Sequence, residues 1–288
     1  MIEPEPTAAR MVAAIERHRV TQCVLAPVLL TQILDLAAAT AADLSSLELL
    51  SYGAAPISAA ALERALRLAP CPLLQVYGLT ETTGFVCALD PEVHNDAGLR
   101  SGVLAGCGRP IDDMEFALVD PVTGAVVAPG ETGEIRVRSP RVMLGYWHAP
   151  AETAAAITAD GWFRTGDLAR QDAGGYVYLV DRLKDMIVSG GENIYPAEIE
   201  AVLAAHPAVR EAAVVAAPHP RWGETPVALV VFEPGDQPGE AELLAFCRQR
   251  LAHYKCPTAI RQRDELPRNP AGKVLRRVLR QSLQEQAT

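Results

Sequence analysis

The sequence lacks the features that mark several common protein classes. Of its 288 residues only 5% are aromatic, and no run of lysine or arginine offsets a formal net charge of -9. A nucleic-acid backbone is therefore not an expected partner, and an anionic ligand would have to be held locally. The six cysteines form no CxxC pair, so we expect neither disulfides nor structural zinc, which favours a reducing compartment.

Long hydrophobic runs are absent too. The most apolar early stretch, Cys23–Leu30, is short and is broken by Pro27. The acidic start Met1–Glu5 does not have the basic region of a signal peptide. We therefore expect a cytoplasmic protein without a transmembrane segment.

The common catalytic signatures are also missing. The sequence contains no GxxxxGK[ST], GxGxxG, GxSxG or HExxH, and its six histidines lie far apart. What is present is an ordinary globular composition, with 49% hydrophobic and 21% charged residues. This length and composition predict about two domains, each with its own core.

The hydrophobic period alternates between helical and extended over residues 1–95. The predicted helices are Ala8–His18, Leu29–Ala39 and Ser58–Ala69, and the predicted strands are Gln22–Ala26, Leu47–Tyr52 and Leu73–Tyr77. Apolar strands separated by helices indicate a parallel α/β subdomain, with ligand-binding loops at the strand ends.

Residues 96–181 contain short extended runs divided by glycine and proline, which predict an antiparallel sheet or a partial barrel. These runs are Glu115–Val119, Glu134–Arg138 and Tyr176–Val180. Residues 182–288 predict a small, mobile C-terminal α+β domain. Its predicted elements are the helices Pro196–His206 and Glu240–His253, a last helix after Gly272, and the strands Ala212–Ala216 and Val227–Phe232.

Two polar loops follow predicted strands of the first subdomain. Tyr52–Pro56 has small residues that would let the backbone approach a flat ligand, although a plain strand-to-helix turn has the same composition. Gln75–Gly84 combines an aromatic ring, glycines, hydroxyls and a carboxylate. These groups could stack a base, bind phosphate and hold a hard cation, and the alternative is a threonine-rich helix cap.

Three further loops carry candidate groups. Asp160–Asp167 could present a carboxylate to a ribose diol, or be a hairpin turn with a solvated aspartate. Asp181–Pro196 could be a hinge beside a ligand channel, or a solvated linker. Pro267–Lys273 could bring a lysine to a phosphate or carboxylate, although most such lysines are simply exposed.

Together, the order and spacing of these segments resemble the adenylate-forming (AMP-binding) superfamily of acyl-CoA synthetases, luciferases and nonribosomal-peptide adenylation domains. The resemblance is strongest to bacterial fatty-acyl-CoA ligases and covers essentially the whole chain. The matching motifs are Tyr77–Glu81, Gly145–Trp147, Gly161–Asp167, Ser189–Pro196 and Gly272–Lys273.

This resemblance implies an ATP-dependent ligase that acts on a fatty or related carboxylic acid. The acid would attack ATP to give acyl-AMP and pyrophosphate, with Mg²⁺ bound, and coenzyme A would then displace AMP. The residues matched to the adenine site are Gly53, Ala54, Ala55 and Tyr77. Thr80 would bind phosphate oxygen and Glu81 would hold Mg²⁺.

The remaining matched residues lie nearer the carboxyl end. Asp167 would bind the ribose hydroxyls, helped by Arg182, and Lys184 matches the hinge residue. Lys273 would bridge the acyl carboxylate and the α-phosphate. The residues matched to the pantetheine channel of coenzyme A are Ser189, Gly190 and Gly191.

Family members carry a Ser/Thr/Gly-rich phosphate loop and a further α/β subdomain upstream of the matching region, and this sequence has neither. We therefore expect residues 1–181 to be a partial large domain, residues 182–288 to be the small domain, and ATP activation by this chain alone to be impaired. A complementary amino-terminal half, or a second copy of the chain, is the expected protein partner. The alternatives are an adenylation enzyme that loads a carrier protein and a non-catalytic nucleotide-binding or interaction fragment.

Overall fold

The computed structural model describes residues 6–55, 57–235, 237–268 and 273–286. The chain forms two compact units. The first comprises Met1–Thr165 and Ala169–Leu179, and the second comprises Gly166–Leu168 and Val180–Thr288. None of the helices in these described ranges is both long and apolar enough to cross a membrane.

The first unit begins with three helix–strand pairs. They are α1 (Ala8–His18), β1 (Gln22–Leu25), α2 (Pro27–Thr40), β2 (Leu49–Gly53), α3 (Ala59–Leu68) and β3 (Leu73–Leu79). Side-chain caps start two of the helices, since Thr7 accepts from the Arg10 amide and Ser58 accepts from the Ala61 amide. Pro27 occupies the first turn of α2, where its missing N–H costs no hydrogen bond.

These strands belong to a five-stranded sheet of order β1-β2-β3-β4-β5, completed by β4 (Gly84–Leu89) and β5 (Arg109–Pro110). The predicted parallel arrangement is confirmed for β1, β2 and β3. β4 and β5 add antiparallel pairs that the sequence analysis did not anticipate. The sheet core includes the fully buried residues Leu30, Ile33, Leu34 and Leu50, which fix the sheet against the helices and leave the loops at the strand ends exposed.

The β-rich part follows helix α4 (Asp96–Ser101). It contains β6 (Glu115–Val119), β7 (Gly133–Arg138), helix α5 (Pro150–Ala156), β8 (Phe163–Gln171) and β9 (Val177–Arg182). Its sheet has the order β6-β7-β8-β9, with β6 and β7 antiparallel. The sheets of the described residues are all open, so none closes into a barrel.

The second unit is an α+β module. It contains β10 (Ile187–Ser189), β11 (Glu192–Ile194), α6 (Pro196–Ala204), β12 (Val209–His219), β13 (Gly223–Phe232), α7 (Glu240–Arg248), β14 (Ala259–Gln262) and α8 (Arg276–Gln286). The sheet order is β11-β10-β13-β12, and β14 pairs in parallel with β13.

Alternate residues of β12 and β13 face two separate cores, as the period of a strand requires. Val214 and Val230 pack in one cluster with Ile199 of α6 and Leu243 of α7. Val215 and Leu229 belong to the other cluster, together with Leu279 of α8. The sheet is therefore covered on both faces, which accounts for its near-continuous apolar strands.

Candidate functional site

The first predicted loop begins where β2 ends. Gly53 pairs with Val76 of β3 in parallel register, and a Cβ atom at Gly53 would lie 2.2 Å from the Val76 carbonyl oxygen. Glycine is required here for close backbone approach. Ala54 has a left-handed backbone (φ +67°), and both Ala54 and Ala55 are exposed. Pro56, the last residue of this motif, lies outside the described residues.

Tyr77 lies next to this loop in the sheet, one residue after the Val76 partner of Gly53. The residue is only 8% exposed and packs in a buried cluster with Val86, Cys87 and Phe163. The structure therefore gives its ring a packing role, and stacking on adenine stays a prediction.

The second loop is a 3₁₀ turn, Thr80–Thr82, between β3 and β4. The buried Thr82 hydroxyl accepts from the Leu79 amide at 3.1 Å, and the carbonyls of Leu79 and Gly84 both lie 2.9 Å from it. Thr82 thus closes the turn internally, a role that the sequence analysis missed among three neighbouring hydroxyls. Thr80 is left exposed and Glu81 half-buried, as groups that meet a ligand would be.

A distant segment contacts the Glu81 side chain. The Tyr146 hydroxyl donates to Glu81 Oε1 at 3.0 Å, and the Met143 amide donates to the Glu81 carbonyl at 2.8 Å. Burial, together with the adjacent Glu81 carboxylate, raises the pKa of Tyr146, which keeps its hydroxyl a hydrogen-bond donor. Gly145–Trp147 matches a family motif in the sequence, but no role was predicted for Tyr146.

The side chains that accompany Glu81 decide whether magnesium fits this site. Within the part of the chain that the structure describes, no group of three or more His, Cys, Asp or Glu side chains could hold a metal ion. Glu81 alone suits Mg²⁺ that arrives with a nucleotide, because such sites use one or two carboxylates together with phosphate oxygens and water. A self-contained protein cage for a metal is not formed by these residues.

In the second unit, Asp167 lies within β8 and not in a turn. Its side chain is 11% exposed, and its Oδ1 lies 3.1 Å from Arg182 Nε. The structure therefore brings together the two residues matched to the ribose. The neighbouring Asp181 accepts from the amides of Arg182 and Ala197 at 2.7 and 2.8 Å, and burial raises its pKa.

Lys184 lies in a 3₁₀ turn, Leu183–Asp185, directly after β9. Two arginines of α8 hold this turn, since Arg280 donates to the Lys184 carbonyl at 3.3 Å and to Asp185 Oδ1 at 2.8 Å. Arg276 lies 3.5 Å from Asp185 and donates to both oxygens of Glu200 at 2.8 Å. This ionic cluster of Asp185, Glu200, Arg276 and Arg280 was not predicted from the sequence.

Lys273 is exposed and lies just before α8. The four residues before it, 269–272, lie outside the described residues, and they include Gly272 of its motif. Partial desolvation lowers its pKa, as do the positive charges of Arg182 and Lys184, while Asp167 and Asp185 act in the opposite direction. Lys273 is therefore within electrostatic range of the Asp167–Arg182 pair.

The Ser189–Gly191 motif forms a tight hairpin between β10 and β11. Gly190 and Gly191 have φ of +60° and +90°, values that glycine adopts without strain. The Gly190 amide donates to the Trp222 carbonyl at 3.0 Å, and the Trp222 ring stacks on His219 with ring centroids 4.2 Å apart. The hairpin therefore exposes glycine backbone beside an aromatic stack.

Comparison with known proteins adds two family matches. Residues 1–147, just over half of the chain, match the AMP-binding enzyme family, and residues 198–273 match the AMP-binding enzyme C-terminal domain.

Curated relatives and solved structures agree with these matches. Fatty acid–[acyl-carrier-protein] ligase ScoC of Streptomyces coeruleorubidus is 42% identical over 90% of this chain and 49% of its own length. Feruloyl-CoA synthase of an Amycolatopsis species is 42% identical over 92% of this chain and 52% of its own. The amide bond synthetase McbA of Marinactinospora thermotolerans superposes with a TM-score of 0.84 and 36% identity, covering 98% of this chain and 56% of McbA.

The chain thus spans about half the length of the relatives it matches. The names of these relatives differ in the product they state: an acyl-carrier-protein ligase, a CoA synthase and an amide bond synthetase. From the two family matches and the mixed α/β architecture, the chain belongs to the AMP-binding enzyme family, the adenylate-forming superfamily that its sequence motifs resemble.

Proposed function

We propose that the chain acts as an ATP-dependent acyl ligase or as one part of such an enzyme. In the first step an oxygen of the acid's carboxylate attacks the α-phosphorus of ATP, the bond to the β-phosphate oxygen breaks, and pyrophosphate leaves. In the second step the sulfur of a thiol forms a bond to the acyl carbon, the bond from that carbon to the phosphate oxygen breaks, AMP leaves, and the thiol proton is released to solvent. The observation that carries the proposal is the Asp167–Arg182 pair with Lys273 in electrostatic range, all within the second unit.

Separate residues are proposed for each part of the nucleotide. Gly53, Ala54, Ala55 and Tyr77 are proposed for adenine, Thr80 for phosphate and Glu81 for Mg²⁺. Asp167 would accept hydrogen bonds from the ribose hydroxyls, since a carboxylate can accept from two donors at once. Arg182 holds that carboxylate from one side and so fixes its direction.

Lys273 is proposed to act at the first step. Two anions, the acid and the α-phosphate, repel each other as they approach, and a compact positive charge between them lowers that cost. Lys184 is proposed as the pivot between the two half-reactions. The clamp on its carbonyl and on Asp185 by α8 supports a pivot at this turn.

A fatty or related acid is the proposed substrate, and coenzyme A is the proposed acceptor at Ser189, Gly190 and Gly191. Loading of a carrier protein is the second candidate, favoured by the 42% identity to a fatty acid–[acyl-carrier-protein] ligase.

All six cysteines are free thiols, which supports the cytoplasmic location proposed here.

Coverage of about half of each relative supports a further proposal. The chain would work with a complementary amino-terminal half or, as the weaker alternative, as an interaction fragment that binds nucleotide without turnover. A partner that carries a phosphate loop would bind the β- and γ-phosphates.

The experiment is acid-dependent thioester formation from ATP with coenzyme A or a carrier protein as acceptor. It uses the chain alone and the chain mixed with the amino-terminal half of a relative. Thioester from the mixture supports the ligase. Nucleotide binding without thioester in both samples, across fatty and aromatic acids, would favour the non-catalytic alternative.

A further inference from the structure

We propose that Tyr146 is a positioning residue that holds the Glu81 carboxylate in one orientation for a nucleotide-bound magnesium ion. The inference rests on the proposed function, in which Glu81 is the metal ligand. It gives a role to Tyr146, a side chain to which the proposed reaction assigns none.

The main chain of the Glu81 loop is fixed separately from its side chain. Met143 N–H donates to the Glu81 carbonyl, Thr83 Oγ1 donates to the Arg141 carbonyl at 2.8 Å, and Arg141 donates to the Phe85 carbonyl at 3.2 Å. Each of these hydrogen bonds ends on a main-chain carbonyl, so together they set where the turn lies. They leave the orientation of the Glu81 side chain to a different contact.

That contact is the hydrogen bond of 3.0 Å from the Tyr146 hydroxyl to Glu81 Oε1. A glutamate has three rotatable side-chain bonds, and ordering them on binding would weaken the grip on a ligand. With Oε1 on the tyrosine, a cation is left to approach Oε2. The carboxylate is therefore oriented before the metal arrives.

Tyr146 is itself held by helix α5. Its amide donates to Thr153 Oγ1 at 2.9 Å, and the same hydroxyl donates to the Ala149 carbonyl at 2.8 Å. Gly145, with φ +153°, allows the close approach, since a Cβ atom there would lie 2.8 Å from Thr153 Cγ2. A continuous set of contacts thus runs from α5 through Thr153 and Tyr146 to Glu81.

Tyr178, in the same unit, provides a control for Tyr146. Tyr178 donates to Asp172 Oδ2 at 3.0 Å, the same kind of hydrogen bond at the same length as that of Tyr146. Tyr146→Phe and Tyr178→Phe each remove one phenol-to-carboxylate hydrogen bond and keep the ring. Only the first would disturb the metal ligand.

The experiment measures ATP binding to the 288-residue chain by calorimetry while Mg²⁺ is titrated, with EDTA as the metal-free reference. For Tyr146→Phe we expect the Mg²⁺ concentration at half-effect to rise at least about 10-fold, the size of one lost hydrogen bond to a charged group. Affinity in EDTA should not change, and Tyr178→Phe should behave as the unsubstituted chain. A high-resolution crystal structure of Tyr146→Phe should show Glu81 in more than one orientation.

Two results would overturn the inference in distinguishable ways. If Glu81→Gln abolishes the Mg²⁺ effect but Tyr146→Phe leaves it and the Glu81 orientation unchanged, the positioning role is wrong and the proposed function stands. If Mg²⁺ has no effect on ATP binding even in the unsubstituted chain, Glu81 is not the metal ligand. The role of Tyr146 then falls together with that part of the proposed function.

Discussion

The turn that carries Glu81 and the turn that carries Lys184 are held by different physical means. Neutral hydrogen bonds fix the first, chiefly those of the buried Thr82 hydroxyl. Ion pairs from α8 fix the second, through Arg276 and Arg280 on the 10%-exposed Asp185 side chain. Removing a neutral hydrogen bond so that a buried donor is left unpaired costs about 1 to 3 kcal/mol, whereas removing one partner of a buried ion pair costs about 3 to 5 kcal/mol.

The largest expected effect therefore comes from breaking the ionic cluster. Arg276→Met would leave the Asp185 and Glu200 carboxylates without a shared guanidinium and should destabilise the second unit by about 3 to 5 kcal/mol. Hydrogen exchange of the β12 and β13 amides in the full chain measures this, because it reports on one unit at a time.

The control is Arg261→Met in the same unit, since Arg261 and Glu240 form an ion pair at 3.1 Å with both side chains over 40% exposed. Its loss should cost less than about 1 kcal/mol. Similar losses of stability for Arg276→Met and Arg261→Met would show that the buried cluster does not hold the Lys184 turn more strongly than an exposed ion pair would.

The next effect concerns chemistry rather than stability. In the complemented enzyme, Lys273→Ala should raise the barrier to acyl-adenylate formation by about 2 to 4 kcal/mol, because it removes a preorganised charge where two anions meet. Pyrophosphate exchange measures the first step, and thioester formation from supplied acyl-AMP measures the second. Equal losses in the two assays would show that the role of Lys273 is misassigned.

The pH dependence of the first step sharpens the same assignment. The pKa of Lys273 is lowered, so the lysine loses its proton at a lower pH than an ordinary lysine and its charge is lost earlier as pH rises. Adenylation should therefore decline on the alkaline side below the usual lysine range. Lys273→Arg should be slower but without that decline, because arginine stays charged. An unchanged alkaline decline in Lys273→Arg would assign it to another group.

A smaller effect is expected at the Glu81 turn. Thr82→Val removes the buried hydroxyl and leaves the Leu79 amide without that partner, which should cost about 1 to 3 kcal/mol in stability of the first unit. Thr82→Ser keeps the hydroxyl and serves as the control. Urea unfolding, followed through hydrogen exchange of the β3 and β4 amides, compares the stability of the two variants. A valine variant as stable as the serine variant would show that the Thr82 hydroxyl does not stabilise the turn.

The smallest effect is expected at the adenine loop. Ala54 has a left-handed backbone, so Ala54→Gly removes a strain of about 1 to 2 kcal/mol but adds flexibility to the unfolded chain. The net stabilisation should be about 0.5 kcal/mol. A loss of more than about 1 kcal/mol on thermal unfolding would mean that the Ala54 methyl group makes a contact that outweighs the strain.

Local pattern predicted much of the fold. The bounds of α1 and β6 agree with the predicted ranges because an apolar face at a regular period fixes them. β8 was missed because the polar sequence Arg164–Asp167 resembles a turn, and β14 because it gains its strand conformation from pairing with β13. These elements depend on tertiary contacts rather than on local preference.

The candidate site divides in the same way. Asp167 and Arg182 follow from motifs and were found together, whereas their roles with a nucleotide stay predictions. The Tyr146–Glu81 contact joins residues 65 positions apart, and the Arg276–Asp185 pair joins residues 91 apart. In the sequence, charged and polar residues that form such contacts look the same as those on a solvated surface. The contacts are therefore seen only in the folded structure.

AMP binding by the 288-residue chain, measured by calorimetry with circular dichroism as a check of folding, tests the role of Asp167 most directly. The control variant is Glu115→Gln, which alters an exposed partner of Arg138. We expect measurable AMP binding that Asp167→Asn weakens at least about 10-fold, through the loss of charge-assisted bonds to the ribose, while Glu115→Gln leaves it unchanged. No binding in a folded sample, or equal binding by Asp167→Asn, would contradict it.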